Sequence, residues 1–377
     1  MMMNEKQSSN NRMSDLSQTL RDLLIESCES LLIGKNSAGI FLSGGVDTGA
    51  VLAACKLAQK KNPAIPKLTH AVTVFASEIA PDRAFSQLLA NQYGLIHHQV
   101  NTSSLEILDS CLVSTVRSLE SFDPMTIRNS LVIEKSLEEA LKYFPDIDIW
   151  LSGDASDELL GGYSFTWKTD EPLWSEKRNK MCGRMTFAAD ALSKSKNMIV
   201  RSPYRSEKLI DWVVANCTKE ICIGERDLVI SPDDEPKKVT TGKIVLRDAF
   251  PEVISSKRRK DPIEIGSGIT ELGLKGFFSS IVVQDEEQNE RAIALKMGIR
   301  LRDLEQIKYF QCFRSLFLPD DNVNTYTDGM ENMPKFLRLR KGNPEAIGPF
   351  CLGCGFQLYD PHADFCLGKN QLIKHQF

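Results

Sequence analysis

Two apolar runs, far apart along the chain, each break into a Ser-Gly turn that carries an aspartate. The first reads Ala38-Gly-Ile-Phe-Leu-Ser-Gly-Gly-Val-Asp-Thr48, and the second reads Ile149-Trp-Leu-Ser-Gly-Asp-Ala-Ser-Asp-Glu-Leu-Leu-Gly-Gly-Tyr163. Gly39–Leu42 and Ile147–Leu151 have the continuous apolar character of strands covered on both faces. The first turn leads into a helical pattern over Gly49–Gln59. A turn of small residues between strand and helix points backbone N–H groups outward at a helix N-terminus, where phosphate is favoured. Asp47 and Asp157 add carboxylates at the edges of these turns. Such a pair suits Mg²⁺ held jointly by protein and phosphate. The two turns therefore read as two walls of one nucleotide site.

The intervening chain supports a parallel sheet. Leu68–Phe75 and Ile96–Val100 read as further strands, and Pro81–Tyr93, Leu105–Leu119 and Ile127–Tyr143 carry helical spacing. Strands alternating with helices imply an α/β fold with a parallel sheet, whose ligands sit beyond the carboxyl ends of the strands. A polar start over 1–13 reads as disordered, and Ser14 as the cap of a helix to Leu32. The pattern predicts one body over 14–318, with the sheet in 14–165 and a mostly helical part in 166–318. Within the helical part, Ser231–Pro236 and Gln284–Glu290 read as exposed loops or a helix boundary. A linker over 319–340 and a cysteine-bearing tail over 341–377 follow.

Composition excludes little but narrows the class. The chain has 377 residues, a net charge of −4 and 42% hydrophobic residues, values ordinary for a globular protein and no global argument for nucleic acid or an anionic membrane. The first dozen residues do not resemble a secretory signal, and no run approaches a membrane span of about 18 apolar residues. A cytoplasmic protein with reduced cysteines is expected.

Several motifs, in matching order, carry a resemblance to a known family. Ser43-Gly-Gly-Val-Asp-Thr48 resembles the pyrophosphate loop (PP-loop) of ATP pyrophosphatases of the adenine-nucleotide alpha hydrolase type. Ser152-Gly-Asp-Ala-Ser-Asp-Glu-Leu-Leu-Gly-Gly-Tyr163 resembles the signature of the synthetase domain of asparagine synthetases. Phe122-Asp with Thr126-Ile-Arg-Asn-Ser130, then Val200-Arg-Ser-Pro-Tyr204, Gly242-Lys, Lys257-Arg-Arg-Lys260 and Gly266-Ser-Gly268 fall in the same order as in that family. The resemblance implies a ligase that joins a carboxylate to ATP, releases pyrophosphate, and lets ammonia or an amine displace AMP. By position, it implies that Ser43, Gly44, Gly45 and Thr48 cradle pyrophosphate and that Asp47 and Asp157 hold Mg²⁺. Leu42, Val74, Ser152 and Gly153 would line the adenosine pocket, and Thr126 and Arg128 would meet the acid substrate. Lys260, assisted by Lys168, would steady the phosphorus under attack. Asp154 stands where the family has glutamate, one methylene shorter, to orient or deprotonate the amine.

The family's glutaminase domain is not expected here: there is no Met-Cys start and too little chain precedes the loop. Free ammonia, a separate glutaminase subunit or an amine on the substrate would then supply nitrogen. In the tail, Cys351-Leu-Gly-Cys354 with His362 and Cys366 has the spacing of a tetrahedral structural Zn²⁺ site, and His375 is an alternative to His362. The basic stretch Lys335–Lys341 leaves open nucleic acid, an acidic partner protein or no partner at all. Two other functions stay open: a PP-loop enzyme that adenylates a base carbonyl in tRNA or a nucleotide, and a non-catalytic nucleotide-binding scaffold.

Overall fold

A computed structural model describes residues 2–183, 185–274, 276–296 and 299–317, and two short strands at 365–366 and 371–372. The zinc residues Cys351, Cys354 and His362, and the side chain of Cys366, lie outside the described residues, as does the Lys335–Lys341 stretch. Along the chain run α1 (Met2–Leu32), β1 (Ala38–Phe41), α2 (Val46–Lys61), β2 (Leu68–Phe75), α3 (Asp82–Tyr93), β3 (Ile96–Asn101), α4 (Ser104–Leu119), α5 (Pro124–Tyr143) and β4 (Ile149–Leu151). They are followed by α6 (Ser156–Leu160), α7 (Leu173–Cys182), α8 (Ala188–Ser195), β5 (Val200–Arg201), α9 (Glu207–Asn216), α10 (Lys219–Cys222), β6 (Gly224–Leu228) and β7 (Lys237–Thr241). The last helices are α11 (Ile244–Ala249), α12 (Ile263–Gly266), α13 (Gln284–Lys296) and α14 (Leu304–Phe317). Among the described residues no helix is long and apolar enough to cross a membrane.

The chain divides into two compact units, one of Met1–Ser103 with Val132–Ile269, the other of Ser104–Leu131 with the chain from Thr270 onward. The first holds a five-stranded sheet in the order β3-β2-β1-β4-β5, parallel throughout. β1 lies between β2 and β4, with Ile40 opposite Ala71 on one side and Leu151 on the other. Ala38, Ile40, Ile149, Trp150 and Leu151 are all buried, because helices cover both faces of a parallel sheet. The winding of the chain reverses between β1 and β4. That is the point where an open α/β sheet leaves a crevice beyond its strand ends, and both Ser-Gly turns emerge there.

Some elements differ from the sequence reading for identifiable reasons. α1 begins at Met2 rather than at Ser14, since residues 2–13 contain neither glycine nor proline to stop a helix. β4 starts at Ile149, since the Asp148 backbone N–H donates to Ser37 Oγ at 2.9 Å rather than to a neighbouring strand. The region expected to be helical contains the β6–β7 hairpin. Its strands alternate between exposed and partly covered residues and carry a Glu225–Lys238 ion pair, so they lack the apolar run that marks a buried strand. Ser231–Pro236 is the loop of this hairpin. Gln284–Glu290 forms the first half of α13, where Asp285, Glu286 and Glu287 meet the positive end of the helix dipole.

In the second unit α4 packs on α14, and Phe122 meets Phe310 and Phe313 edge-on at 5.3 and 5.0 Å between centroids. Arg128 sits on this unit's part of α5. Its guanidinium makes two bonds to the buried Glu305 carboxylate, at 2.8 and 2.9 Å, and Tyr309 donates to the same carboxylate at 3.1 Å.

Candidate active site

The first wall follows β1. Gly44 holds φ at +76°, and a Cβ there would stand 2.6 Å from the Ser86 backbone nitrogen, so only glycine lets the loop turn this close to α3. Gly45 is the N-cap of α2 and carries no side chain to cap it. The first-turn N–H groups of α2 are thus left for an external acceptor. The loop's own hydroxyls bond inside it: Ser43 Oγ lies 3.4 Å from Thr48 Oγ1 and accepts the Gly45 N–H at 3.3 Å. From outside, the buried Arg258 guanidinium donates to the Ser43 carbonyl at 3.1 Å and to Asp82 at 2.7 Å.

The second wall follows β4, and Gly153 brings the two walls together. A Cβ at Gly153 would come within 2.9 Å of Asp47 Cβ and 3.2 Å of Thr48 Cγ2. Ser156, at the start of α6, donates to Asp47 Oδ1 at 2.5 Å, and Tyr204 donates to the Asp47 carbonyl at 2.9 Å. Between the walls stands Lys243, 1% exposed. Its Nζ donates to Asp47 Oδ1 and Oδ2 at 2.7 and 2.6 Å and reaches Asp157 Oδ1 at 2.9 Å. Lys260 donates to the same Asp157 oxygen and to the Gly162 carbonyl at 3.2 Å. Its Nζ also lies 4.9 Å from the centre of the Tyr163 ring. Two carboxylates thus face two ammonium groups across the crevice.

The charges set each other's protonation. Burial pushes the Asp157 carboxyl up, but Lys243 and Lys260 outweigh it and hold the group below its ordinary value. Burial pulls Lys243 down, while Asp157 and Asp47 together raise it above the ordinary lysine value. Lys260 is lowered, first by burial and then by the charge of Lys243.

Asp154 sits outside this tetrad. Its carboxylate accepts the Ser152 hydroxyl at 2.8 Å, and its carbonyl accepts Ser202 Oγ at 2.6 Å. Burial raises its carboxyl to about 6, helped by Glu158 and Asp190 and opposed by the Ser152 hydrogen bond and by Arg205. A carboxyl raised on folding binds its proton more tightly in the folded state. It therefore adds stability below its unfolded value, and that contribution fades as pH rises through about 6. Asp154→Asn is expected to remove this slope, so that urea midpoints of the variant vary less than those of the parent between pH 4 and 7. An unchanged slope would show that Asp154 titrates normally.

Of the residues expected from sequence, Ser43, Gly44, Gly45, Asp47, Thr48, Ser152, Gly153, Asp157 and Lys260 fall in or beside this crevice. Leu42 and Val74 are buried at the carboxyl ends of β1 and β2, with Leu42 bonded to Val72 and Thr73. Lys168 is exposed, and no hydrogen bond or ion pair among the described residues ties it to the tetrad. Thr126, exposed in the first turn of α5, and Arg128 belong to the second unit. The guanidinium of Arg128 makes a two-pronged bond to Glu305, so the carboxylate it grips is the protein's own. Four residues of the site had no assigned role: Lys243, Ser156, Tyr204 and Arg258. Each lay within a matched motif. What hid them was distance along the chain, since Lys243 and Asp47 are separated by 196 positions.

Over residues 19–210 the chain matches the family model described as Asparagine synthase. It belongs to the asparagine synthase family. Among curated proteins it is 31% identical over 175 residues to the glutamine-hydrolyzing asparagine synthetase of Rattus norvegicus, covering 46% of this chain and 30% of that protein. To asparagine synthetase B (glutamine-hydrolyzing) of Escherichia coli K12 it is 27% identical over 271 residues, covering 66% of this chain and 45% of that one. The human asparagine synthetase (glutamine-hydrolyzing) is 29% identical over 175 residues. The chain thus spans less than half the length of each of these asparagine synthetases. The matched stretch of the family model contains both Ser-Gly turns, while Lys243 and Lys260 lie beyond its end.

Proposed function

We propose that this asparagine synthase relative is an ATP-dependent, AMP-forming amide ligase, which adenylates a substrate carboxylate and passes it to ammonia or an amine. The observation that carries the reading is the single Lys243 ammonium bonded to Asp47 of one turn and Asp157 of the other. It ties two phosphate-type corners into one charged crevice at the reversal point of the sheet.

The donor chemistry fits Mg²⁺. No group of three or more His, Cys, Asp or Glu side chains among the described residues could hold a metal alone. Mg²⁺ is commonly held by one or two carboxylates together with substrate phosphates, and Asp47 and Asp157 are the residues that would hold it. Bound there, it would neutralise phosphate charge. The chain's own contribution is positional and electrostatic. The uncapped N–H groups of α2 receive the pyrophosphate oxygens, and Lys243 fixes the carboxylates. Lys260 faces the charge that grows as the carboxylate attacks the α-phosphorus and pyrophosphate leaves. The Asp154 carboxylate orients or deprotonates the incoming amine. A glutaminase on another subunit is one source of ammonia, and a free amine is another.

The test is pyrophosphate release from Mg²⁺-ATP across a panel of carboxylic acids, with and without ammonium. Release that depends on an acid, and that vanishes in Asp47→Ala, is expected. Nucleotide binding without release for any acid would replace the ligase with a nucleotide-binding scaffold. Release driven by tRNA instead would point to base adenylation.

A further inference from the structure

A cavity of about 450 Å³ opens in the first unit between α1 and the connection from β5 to α9. Its size falls in the range of sites for small organic molecules, roughly 300–1,000 Å³, and beside Leu23, Leu31 and several serines its walls carry charge. Glu26, Asp190, Arg201, Arg205 and Lys208 all line it, together with Ser202. Lys208 pairs with Glu26 at 2.6 Å, and one Arg205 nitrogen donates to both Asp190 oxygens at 2.7 and 2.9 Å. Arg201 is exposed and donates to its own neighbour's carbonyl, on Val200, at 2.7 Å. Among the described residues no carboxylate pairs with it. Three cations therefore face two anions, and the unpaired cation carries the planar fork that matches a carboxylate or phosphate.

We infer that this cavity binds a small organic oxyanion, gripped by Arg201 through its carboxylate or phosphate group. An apolar ligand would cover the Arg201 guanidinium without giving it an anion, which is costly. Two residues of its wall also bond the loop that carries Asp154. Ser202, in its wall, donates to the Asp154 carbonyl at 2.6 Å, and the Arg201 carbonyl accepts the Ser152 N–H at 3.0 Å. One dipeptide thus forms both the anion cavity and the support of the Asp154 loop. An anion that draws on Arg201 is placed to act on that loop as an effector. The binding claim stands apart from the ligase reading, since no residue of the Asp47–Lys243–Asp157–Lys260 tetrad lines the cavity.

The experiment is isothermal titration of the full chain at low salt with two probes, succinate for the carboxylate source and inorganic phosphate for the phosphate source. At least one probe is expected to bind, to weaken tenfold or more in Arg201→Gln, and to weaken in Lys208→Gln. The same binding is expected to persist in Asp47→Ala and in the presence of saturating ATP. Absence of binding by both probes overturns the inference. So does binding that is indifferent to Arg201→Gln, or binding that ATP displaces, which would locate the anion at the nucleotide loop. Because the exposed Arg201 can be replaced without opening the core, matching circular dichroism of variant and parent keeps each result interpretable.

Discussion

Replacing Lys243 with methionine is expected to destabilise the first unit by about 3 kcal/mol at pH 7.5, and by clearly less at pH 5. Lys243 is almost wholly buried, and its ammonium is the shared partner of Asp47 and Asp157. Removing Lys243 leaves Asp47 without a cation and Asp157 with Lys260 alone, and breaking a buried charge set typically costs about 3–5 kcal/mol. The lower figure applies because the two carboxylate side chains are 21% and 24% exposed, so water screens part of the loss. The pH dependence has a definite sign. In the parent, the depressed Asp157 carboxyl contributes stability above its unfolded value and loses it as pH falls through the lower folded value. Without Lys243 the largest influence on Asp157 is burial, which raises it, so protonation relieves the variant and ionisation destabilises it. The gap between variant and parent should therefore widen from pH 5 to pH 7.5 in urea denaturation. Adding Asp157→Asn to the lysine variant should recover part of the loss, because the two sites share one interaction. A loss below about 1 kcal/mol, or a gap that ignores pH, would reduce Lys243 to a surface-like contact.

The centre of the sheet was legible because β1 and β4 are covered on both faces and so read as apolar runs, whereas the edge strand β3 carries two histidines and a glutamine. The turns after β1 and β4 were legible because the chemistry that follows a strand is local: glycines, a serine and an aspartate within a few positions. The β6–β7 hairpin was not, since its exposed strands carry charge where a buried strand carries valine or isoleucine. Three of the four members of the tetrad were legible. Sequence placed Asp47, Asp157 and Lys260 at one site, but it had no means of ranking Lys243 above other lysines, because burial decides its role and burial is a property of the closed fold. Arg128 shows a partner that the sequence did not reveal. An arginine in a substrate-like motif reads as free to grip a ligand, whereas Glu305, 177 positions later, occupies its fork. Asp154 was legible as a position in a motif. Its raised carboxyl was not, since burial and the nearby Glu158 and Asp190 carboxylates come from separate segments.

Lys260→Ala is expected to leave the fold nearly intact while lowering the rate of pyrophosphate release by about 10²–10³-fold, the range seen when one preorganised donor to a developing charge is removed. The asymmetry with Lys243 follows from geometry. Asp157 keeps Lys243 as a partner when Lys260 is cut away, and the Lys260 side chain is 24% exposed, so little unpaired charge is stranded. Its position between Asp157, the Gly162 carbonyl and the Tyr163 ring holds the ammonium at the mouth of the crevice rather than in its floor. An interaction made mainly in the transition state lowers kcat and kcat/KM alike and leaves the KM for ATP nearly unchanged. Loss of ground-state binding would instead raise KM at constant kcat. The pH profile adds a second readout. Burial and Lys243 lower the Lys260 ammonium, so activity that needs its charge should fail on the alkaline side sooner than an ordinary lysine would dictate. Lys260→Arg keeps the charge to far higher pH, and whatever activity it retains should not show that alkaline fall. A kcat within threefold of the parent in Lys260→Ala would remove this residue from the chemistry and leave the transferring phosphorus to the α2 N-terminus and Lys243.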